Sequence, residues 1–415
     1  MSSGRPGDVL FVHNNFPAQF GFLAEDLIAR GYACRAIGAH TAKSLDGVEL
    51  WAWKANRGST PNIFEPATRA EADMIRGRAA ANCALALRDR GYRPRLIIGH
   101  PGWGETLFLR EIFPETPQIL YAEFYYCTRG GDSGFDDEFD PLTWDSRFRV
   151  LAKNATLGLG YLDADAIVSP TPFQQSRLPS IFAPRASVIH EGVDVDKILP
   201  RTGRSLVLAD GRVLDGSTPV ITYVSRTLEP LRGFHVLMRA LPEVLRTIPN
   251  AQVVIIGEWA RQGYGPSPPQ GQTWKDAMLA EAGADLDLNR VHFLGKTPHE
   301  MMLDALSISA AHVYFTYPFV MSWSLLEAMA SGCLVIASDT SPVRDAITHG
   351  KDGVLVDFFN IRGLSVALID ACRHPDRFST LRAGARRTIL ERFNRRDICL
   401  PAWRRLIDKT IAPAH

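Results

Sequence analysis

The 415-residue sequence predicts an α/β protein built from two doubly wound, Rossmann-like domains that face each other across a cleft. Short apolar runs typical of buried strands alternate with helical patterns along the whole chain. The alternation occurs in two successive sets, one in each half of the sequence. Between the sets, residues 192–219 concentrate turn-forming residues and lack periodicity, so we expect the domain boundary there.

In the first half, the predicted strands share short apolar runs and cover residues 9–13, 47–53, 96–99, 118–122 and 166–168. The first strand is followed by a helix with an apolar face from Phe20 to Ile28, which is expected to end at Gly31. Further helical patterns cover about 67–90 and 145–162. This half therefore predicts a parallel sheet flanked by helices.

The second half repeats the arrangement. Its predicted strands cover residues 220–224, 253–257, 291–295, 312–315 and 334–337. The last stretch, about 376–411, has helical patterns. The sequence shows no internal repeat of 20–50 residues, so it does not predict a solenoid or a propeller. A second doubly wound domain is the expected result.

The composition excludes several classes of protein. Lys and Arg number 46 against 45 Asp and Glu, so no overall positive field favours nucleic acid as a partner. No run of about eighteen apolar residues predicts a membrane-spanning helix, and the first residues lack the apolar core of a signal peptide. The six cysteines are scattered without metal-binding spacing. A cytoplasmic enzyme with reduced thiols is expected.

Residues 317–347 are the most informative stretch, because they predict a turn, an amphipathic helix and a buried strand in succession. The start of the helix carries Ser322, Trp323 and Ser324 but no acidic residue. Free N–H groups and the positive end of the helix dipole suit a phosphate there. One turn further, the Glu327 carboxylate can accept hydrogen bonds from a ribose. The stretch therefore predicts a nucleotide-sugar site.

The same segment resembles the C-terminal signature of the family-4 retaining glycosyltransferases, which have the GT-B fold. That signature is Glu, seven residues, Glu, then Ala-Met-Ala-x-Gly-x-Pro-Val-Ile. The chain keeps Glu327, Ala328, Met329, Ala330, Gly332, Val335 and Ile336. It departs where Phe319 stands in place of the first Glu and where Leu334 stands in place of the proline. In the family the second Glu holds the ribose and the first contacts the donor sugar, so the resemblance gives Glu327 the ribose.

Residues 224–233, VSRTLEPLRG, are similar to the family's strand, Arg and then Lys-Gly at the start of a helix. Arg226 keeps the arginine and Arg232 replaces the lysine. Two guanidiniums opposite a helix N-terminus would bind a diphosphate and stabilise the leaving group without a metal, whereas two solvated arginines in a turn are the alternative. The resemblance implies catalytic roles for Arg226 and Arg232, and donor-binding roles for Ser322, Trp323, Ser324, Glu327, Gly257 and Phe319.

Three segments of the first half, 13–20, 100–105 and 123–139, are together similar to a bacterial subgroup of family 4 with its own type of N-terminal domain. His100 follows a predicted strand, where open α/β sheets bind ligands. The resemblance implies that His100 is catalytic and lies near the transferring sugar. A structural histidine that caps the next helix is the alternative.

On the acceptor side of the site, the resemblance implies roles for Gln19 in the first loop, for Trp103 after His100, and for Glu123. Glu123 would interact with acceptor hydroxyls. The aromatic residues that follow it, Phe124 to Tyr126, would stack on a sugar ring, and packing in the core or at the rim is the alternative.

Two charged stretches allow more than one interpretation. The acidic segment 130–140 lacks EF-hand spacing, so a solvated loop is expected rather than a calcium site. Between Arg373 and Lys409, eleven basic residues stand against four acidic ones. This stretch is either a solvated helical face or a patch that contacts anionic lipid headgroups at the inner membrane face.

The resemblance implies three parts: 1–195 on the acceptor side, 196–390 binding the nucleotide sugar, and 391–415 as a helix that returns to the first domain. It also implies a retaining, metal-independent glycosyltransferase without a cofactor. The sugar would pass to a hydroxyl of a glycan or lipid-linked acceptor, in polysaccharide or lipid-linked glycan assembly. A nucleotide-sugar epimerase or hydrolase with the GT-B fold, and a non-catalytic nucleotide-sugar-binding protein, are the alternatives.

Overall fold

The computed structural model describes residues 7–259 and 263–412, which belong to two compact units. The described residues of Met1–Arg129, Leu142–Gly192 and Arg396–His415 form the first unit. Gly130–Pro141 and the described residues of Val193–Arg395 form the second. Each unit contains a parallel sheet, as the α/β prediction requires.

Among the described residues, the sheet of the first unit has seven parallel strands in the spatial order β3-β2-β1-β4-β5-β6-β7. The strands are β1 (Asp8–Val12), β2 (Ala33–Ala39), β3 (Val48–Trp53), β4 (Leu96–Gly99), β5 (Gln118–Tyr121), β6 (Ala166–Ser169) and β7 (Ala186–Val188). The helices between them are α1 (Gly21–Ala29), α2 (Thr68–Asp89), α3 (Leu109–Ile112), α4 (Trp144–Ala152), α5 (Ala155–Leu162) and α6 (Pro172–Arg177).

The described part of the second unit has a six-stranded parallel sheet in the order β12-β11-β10-β13-β14-β15, and a short β8-β9 hairpin. The strands are β8 (Leu206–Val207), β9 (Val213–Leu214), β10 (Val220–Thr227), β11 (Gln252–Glu258), β12 (Val291–Gly295), β13 (Ala311–Tyr314), β14 (Val335–Ser338) and β15 (Val354–Val356). The helices are α7 (Phe234–Thr247), α8 (Trp274–Ala282), α9 (His299–Ser307), α10 (Trp323–Ala330), α11 (Ser341–Arg344), α12 (Ile361–Arg373) and α13 (Ser379–Thr388).

The strand order reverses direction once in each sheet. In the first unit the reversal lies between the paired strands β1 and β4, and in the second it lies between β10 and β13. Their apolar residues are buried, which explains the continuous apolar runs in the sequence. In open α/β sheets, ligands bind in the crevice outside the carboxyl ends of the strands at such a reversal. The loops after these four strands are therefore the expected ligand-binding positions.

The last helix, α14 (Leu400–Ile411), belongs to the first unit, as the resemblance implied. Trp403 and Ile407 are buried in the same apolar cluster as residues of β1 and α1. Arg404 Nε donates a hydrogen bond to Asp26 Oδ2 at 3.1 Å. The chain thus returns to its first unit through a packed helix.

Residues 130–141, which we call the strap, belong to the second unit although both flanking segments belong to the first. The expectation of a solvated loop is wrong for Asp136, which is 3% exposed. Its Oδ2 accepts a hydrogen bond from the Tyr317 hydroxyl at 2.8 Å and lies 3.3 Å from His235 Nε2. Burial alone would raise the pKa of Asp136, but the hydrogen bonds from His235 and Tyr317 hold it below its ordinary value.

The basic stretch from Arg373 to Lys409 is not a continuous free surface. Arg382 and Arg386 donate hydrogen bonds to backbone carbonyls, and Arg392 donates to the Asp345 carbonyl. Arg377, Arg396 and Arg404 form ion pairs with Asp370, Asp397 and Asp26. Six of the eleven basic side chains therefore have partners within the chain, three of them carboxylates and three of them backbone carbonyls. Within the described residues, no helix combines the length and apolarity that spanning a membrane requires.

Candidate functional site

The N-terminus of α10 lies in the loop region that follows β13, beside the strand-order reversal of the second unit. Ser322 caps the helix, since its Oγ accepts a hydrogen bond from the Ser324 amide at 3.3 Å. The Ser322 amide donates to the Tyr314 hydroxyl at 2.7 Å. Trp323 is half exposed. No acidic side chain occupies the first turn of this described helix, so its positive end is available to an anion.

Arg232 ends the short turn Pro230–Arg232 that leads into α7. Its Nη1 donates to Thr316 Oγ1 at 3.0 Å and to the Val320 carbonyl at 2.9 Å. Val320 stands two residues before the cap of α10, so the guanidinium is held beside the start of that helix. Gly233 follows in a left-handed conformation with φ +68°, and an added Cβ would lie only 2.2 Å from the Cβ of Phe315. This close approach requires glycine.

Arg226, near the end of β10, belongs to a row in which two cations stand on either side of two aromatic rings. Its Nη1 donates to the Tyr264 hydroxyl at 2.7 Å, and its guanidinium lies 5.5 Å from the centre of that ring. The Tyr264 and Phe319 ring centres are 5.7 Å apart. The Arg232 guanidinium lies 5.7 Å from the Phe319 ring. The two arginines therefore flank an aromatic pair, a contact favourable to both cations.

Glu229 contacts the segment that carries Tyr264. Glu229 is buried, and its Oε2 accepts a hydrogen bond from the Gly265 amide at 2.8 Å. Burial raises the pKa of this carboxyl, while the Gly265 amide acts in the opposite direction. Gly257 is the penultimate residue of β11, and an added Cβ there would lie 2.7 Å from the Ser225 carbonyl oxygen on the neighbouring strand β10. Sequence reasoning did not single out Tyr264, which lies outside the quoted motifs, or Glu229, which lies within 224–233 but matches none of the residues expected there.

Glu327 already has a protein partner. His299 Nε2 lies 2.9 Å from Glu327 Oε1, and this hydrogen bond raises the pKa of His299 above its ordinary value. His299 is the first residue of α9 and was not predicted as a site residue. A ribose bound to Glu327 would meet a carboxylate whose orientation is fixed by an imidazole.

In the first unit, the two histidines that follow β1 and β4 lie together at the strand-order reversal. The His13 and His100 ring centres are 5.0 Å apart. His13 Nδ1 accepts from the Asn15 amide at 2.9 Å, so the neutral ring carries its proton on Nε2, which lies 2.9 Å from Gln19 Oε1. Burial, followed by the charge of His100, lowers the pKa of His13 well below its ordinary value. His13 is therefore neutral at physiological pH.

The hydrogen bonds continue to the predicted acceptor-side residues. Gln19 Nε2 donates to Glu123 Oε1 at 2.8 Å. His100 Nδ1 accepts from the Gly102 amide at 3.0 Å, which is the capping contact named as the alternative for this residue. The same contact leaves the proton of the neutral ring on Nε2, 3.4 Å from Glu123 Oε2. His100 thus combines a cap with a buried Nε2 that lies beside Glu123.

Trp103 lies over this cluster. Its ring centre is 4.7 Å from that of His100 and 5.2 Å from that of His13. The structure therefore brings together the residues predicted for catalysis and acceptor binding in the first unit: Gln19, His100, Trp103 and Glu123. His13 is a member that sequence reasoning missed, although its position directly after the first strand was a usable signal.

A clamp on α2 holds the loop that carries His100 and Trp103. Arg69 donates to the Gly102 carbonyl and Arg76 donates to the Trp103 carbonyl, the latter at 2.8 Å. Both guanidiniums are paired with the fully buried Asp73. The loop therefore keeps its position through two charge-assisted hydrogen bonds that share one carboxylate.

Next to this clamp, Glu105 is completely buried. Within the described residues, neither of its carboxyl oxygens has a hydrogen-bond partner. Burial raises the pKa of Glu105 to about 7. This carboxyl is therefore substantially protonated at neutral pH.

The described residues contain no cluster of three or more His, Cys, Asp or Glu side chains that could hold a metal ion. The polar groups near the strand-order reversal of the second unit, which we call the donor-side cluster, are instead arginines, hydroxyls and the amides at the start of α10. Anions rather than cations match such groups.

Two doubly wound units, each with its polar cluster at a strand-order reversal, define an α/β protein of the GT-B class. Solved structures share the fold. Sucrose-phosphate synthase from Thermosynechococcus elongatus has a TM-score of 0.70 at 18% identity, covering 97% of this chain and 100% of that one. Anabaena HepE, solved in complex with UDP-glucose, has a TM-score of 0.67 at 15% identity, covering 97% of this chain and 100% of that one.

The family follows from the sequence matches. Residues 30–198 match the family described as Glycosyl transferase family 4 group, and residues 210–388 match Glycosyl transferases group 1. Together the two matches cover most of the chain. The chain belongs to the family-4 glycosyltransferases, so the resemblance drawn from the sequence is confirmed.

The curated relatives match only part of the chain. The chain is 26% identical over 247 residues to the GDP-mannose-dependent alpha-(1-6)-phosphatidylinositol monomannoside mannosyltransferase of Mycolicibacterium smegmatis, covering 55% of this chain and 58% of the relative. It is 29% identical over 200 residues to the D-inositol 3-phosphate glycosyltransferase of Nocardia farcinica, covering 47% of this chain and 42% of the relative. The chain spans about half the length of these curated relatives.

Proposed function

We propose that this protein is a retaining glycosyltransferase that moves a sugar from a nucleoside diphosphate sugar to a hydroxyl acceptor without a metal ion. The observation that carries the proposal is the placement of Arg226 and Arg232 at the strand-order reversal of the second unit, with Arg232 beside the N-terminus of α10. Family membership and relatives named for GDP-mannose-dependent and inositol-phosphate glycosyl transfer support it.

In this proposal the donor is bound by the second unit. Arg226, Arg232 and the amides around Ser322–Ser324 hold the diphosphate, and Glu327 holds the ribose. Negative charge grows on the leaving phosphate as the glycosidic bond breaks, so fixed guanidiniums bind the transition state more strongly than the ground state. Because the leaving phosphate itself takes the acceptor's proton in a retaining reaction of this kind, no separate base is required.

The acceptor is assigned to the first unit. Glu123 accepts a hydrogen bond from an acceptor hydroxyl, Trp103 offers a ring for stacking, and His100 donates from Nε2 towards the transferring sugar. A glycan or a lipid-linked acceptor is proposed, since the mannosyltransferase relative is named for a phosphatidylinositol-based acceptor. Polysaccharide or lipid-linked glycan assembly is the corresponding role.

A thermal-shift screen of the full chain with UDP, GDP, TDP and ADP, each with a chelator present, tests the donor site. One diphosphate is expected to raise the melting temperature without metal, because a ligand that binds only the folded state stabilises it. Stabilisation that requires a divalent ion would contradict the metal-independent assignment. The matched variants are Arg232→Ala, which should lose the shift, and Arg246→Ala on the exposed end of α7, which should keep it.

Product analysis then decides between reactions. Transfer to an acceptor with the donor's anomeric configuration supports the proposal, and inversion contradicts retention. Donor turnover without acceptor would instead indicate the epimerase or hydrolase alternative. Binding without any turnover would favour the non-catalytic alternative. Phe319 motivates that alternative, because its ring cannot accept a hydrogen bond from a donor hydroxyl as the family's Glu would.

A further inference from the structure

The helix α4 in the first unit has an inverted distribution of side chains. Its small residues, Ser146 and Val150, are buried. Its large apolar residues point outward: Trp144 is 74% exposed, Phe148 56% and Leu151 71%. The spacing of these three residues, i, i+4 and i+7, places them in one stripe along the helix. An exposed stripe of this kind marks an interaction surface.

The stripe is preorganised and not a frayed end. Thr143 and Ser146 form a reciprocal capping box at the start of α4. Arg149 Nη1 pairs with Glu65 Oε1 at 3.1 Å, which holds the turn after Phe64 against the helix. Phe64 is itself 75% exposed and extends the apolar surface. We call Phe64, Trp144, Phe148 and Leu151 the α4 face.

Two cations flank the stripe. The Arg147 guanidinium lies 5.6 Å from the Trp144 ring, and the Lys153 ammonium lies 4.9 Å from the Tyr126 ring. Within the described residues neither of these two side chains forms an ion pair with a carboxylate, so both cations can face an anionic ligand. Exposed Trp, Phe and Leu with flanking Arg and Lys are typical of helices that lie in the interface of an anionic membrane.

The size of the α4 face argues against a stable dimer. Its four side chains expose on the order of 500–600 Å², whereas stable protein interfaces bury about 800 Å² on each partner. A helix of nine residues is roughly 14 Å long, so it offers only a short stripe to a protein partner. Shallow insertion among lipid headgroups requires neither a large area nor a complementary partner.

The α4 face is connected to the acceptor-side cluster. Asn154, just after α4, accepts a hydrogen bond from the Tyr126 amide at 2.9 Å and donates to the Tyr126 carbonyl at 2.7 Å. Tyr126 lies three residues after Glu123. A membrane bound to α4 would therefore lie near the loop that carries Glu123, which suits an acceptor anchored in lipid.

We infer that the α4 face binds the surface of an anionic membrane, with Trp144, Phe148 and Leu151 inserted among the headgroups and with Arg147 and Lys153 facing lipid phosphates. The contact is independent of the basic stretch 373–409. It also needs no nucleotide sugar, so vesicle binding and glycosyl transfer can each fail while the other stands.

Co-sedimentation of the full chain with vesicles tests the inference. The protein is expected to bind vesicles of phosphatidylcholine mixed with phosphatidylglycerol, to bind phosphatidylcholine alone more weakly, and to be released by salt. Trp144→Ser with Phe148→Ser should lower the bound fraction about tenfold or more, because membrane affinity scales with the buried apolar area. Arg147→Glu with Lys153→Glu should remove the preference for phosphatidylglycerol.

Two matched variants control for unspecific effects. Leu288→Ser replaces a half-exposed apolar residue of the second unit, and Arg246→Glu replaces an exposed arginine of α7; both should bind like the parent. Parent-like binding of the α4 variants, or no binding of the parent, would overturn the inference. So would a parent that is dimeric in sedimentation velocity without lipid but monomeric after Leu151→Ser, since the face would then be a protein interface. Should the serine double variant fail to fold, the Arg147→Glu, Lys153→Glu variant alone decides the matter, because neither side chain is buried and the apolar residues of α4 stay in place.

Discussion

At the scale of single residues, Arg232 connects the proposed phosphate site to the loop before α10. Its guanidinium binds both Thr316 and the Val320 carbonyl, so removing it affects charge and loop position together. Arg226 makes its hydrogen bond and its cation–π contact with one residue, Tyr264. The two arginines are therefore unequal, although the sequence presents them as a pair.

We predict that Arg226→Ala and Arg232→Ala each lower kcat more than they weaken nucleotide binding, since leaving-group charge grows in the transition state. A loss of about 2–4 kcal/mol in barrier height is expected by analogy with oxyanion donors. Arg232→Ala should be the more severe variant. Steady-state kinetics together with calorimetric binding of the diphosphate measure both quantities. Near-parental kcat in both variants would remove the diphosphate assignment.

Phe319 occupies the position of the family's sugar-binding Glu and is packed between Tyr264 and Arg232. An aromatic ring accepts no strong hydrogen bond, so the corresponding donor hydroxyl has no carboxylate partner at this position. Sites reject analogues mainly by leaving buried polar groups unpaired. We therefore predict similar kcat/KM for the natural donor and for its deoxy analogue at that hydroxyl, measured over a panel of deoxy donors. Strict dependence on every donor hydroxyl would contradict this prediction.

The buried Glu105 makes stability depend on pH. Its pKa is about 7 in the folded protein and ordinarily 4.5, so between these values the folded state retains a proton that the unfolded state has lost. Stability therefore falls as pH rises through this interval. Relative to Glu105→Gln, the parent should lose on the order of 3 kcal/mol of unfolding free energy between about pH 5 and about pH 8. Urea unfolding at both pH values measures the difference, and Glu111→Gln, at an exposed position of α3, is the control.

At the scale of elements, the packing of α2 against the loop after β4 positions His100 and Trp103. Gly104 has φ +95°, and an added Cβ would lie 2.2 Å from the Asp73 carbonyl oxygen. Gly77 on α2 faces the same loop: a Cβ added to Gly77 would lie 2.5 Å from the Gly104 carbonyl oxygen. Only glycine at both positions allows the helix and the loop to approach so closely.

Gly104→Ala should displace this loop. Gly91 is the matched control, because it also has a positive φ, +85°, but an added Cβ would meet nothing within 4 Å. Backbone strain is thus similar in the two variants and only the clash differs. Gly104→Ala is expected to lower the free energy of unfolding, measured with denaturant, by roughly 1–3 kcal/mol more than Gly91→Ala does. It should also lower the rate of sugar transfer, whereas Gly91→Ala should not. Equal costs for the two variants would show that the loop adapts freely.

Most sheet elements were predictable because they are buried parallel strands with continuous apolar runs. The strand β2 was missed because ACRAIGA is interrupted by Arg35 and rich in small residues. The predicted helix over 145–162 is two helices, since Asn154 between them binds the backbone of Tyr126. Within the candidate site, residues in the signature or directly after predicted strands were found. Tyr264, Glu229 and His299 were missed, because their roles depend on tertiary contacts with partners distant in sequence.

At the scale of the whole molecule, the chain passes between the units more often than its linear order indicates. The strap is a segment of the first half that belongs to the second unit. Sequence reasoning placed its acidic residues in solvent, because charge is visible in a sequence and the partners of a buried carboxylate are not. Asp136 binds Tyr317, which lies in the loop between β13 and α10, so the strap also supports the donor-side cluster.

The strap is anchored by two half-buried phenylalanines as well as by Asp136. The Phe135 ring centre lies 5.1 Å from that of Tyr317, and the Phe139 ring centre lies 5.1 Å from that of Trp274. Cleavage of a packed segment requires local opening, and its rate follows the opening free energy. Replacing both phenylalanines by alanine removes buried apolar surface from the strap and lowers that free energy.

We therefore predict that Phe135→Ala with Phe139→Ala speeds cleavage of the strap by a protease specific for acidic residues, by about tenfold or more. Phe64→Ala, which removes an exposed ring of the first unit, should leave the rate unchanged. Mass spectrometry locates the cut among the strap's acidic residues, and far-ultraviolet circular dichroism checks that the parent fold persists. The cleaved double variant should also bind the nucleoside diphosphate more weakly, because Tyr317 loses the partner that steadies the loop before α10. Equal cleavage rates in parent and double variant would mean that Asp136 and its hydrogen bonds hold the strap without the rings. Unchanged nucleotide binding after cleavage would mean that the loop before α10 keeps its position through Arg232 alone.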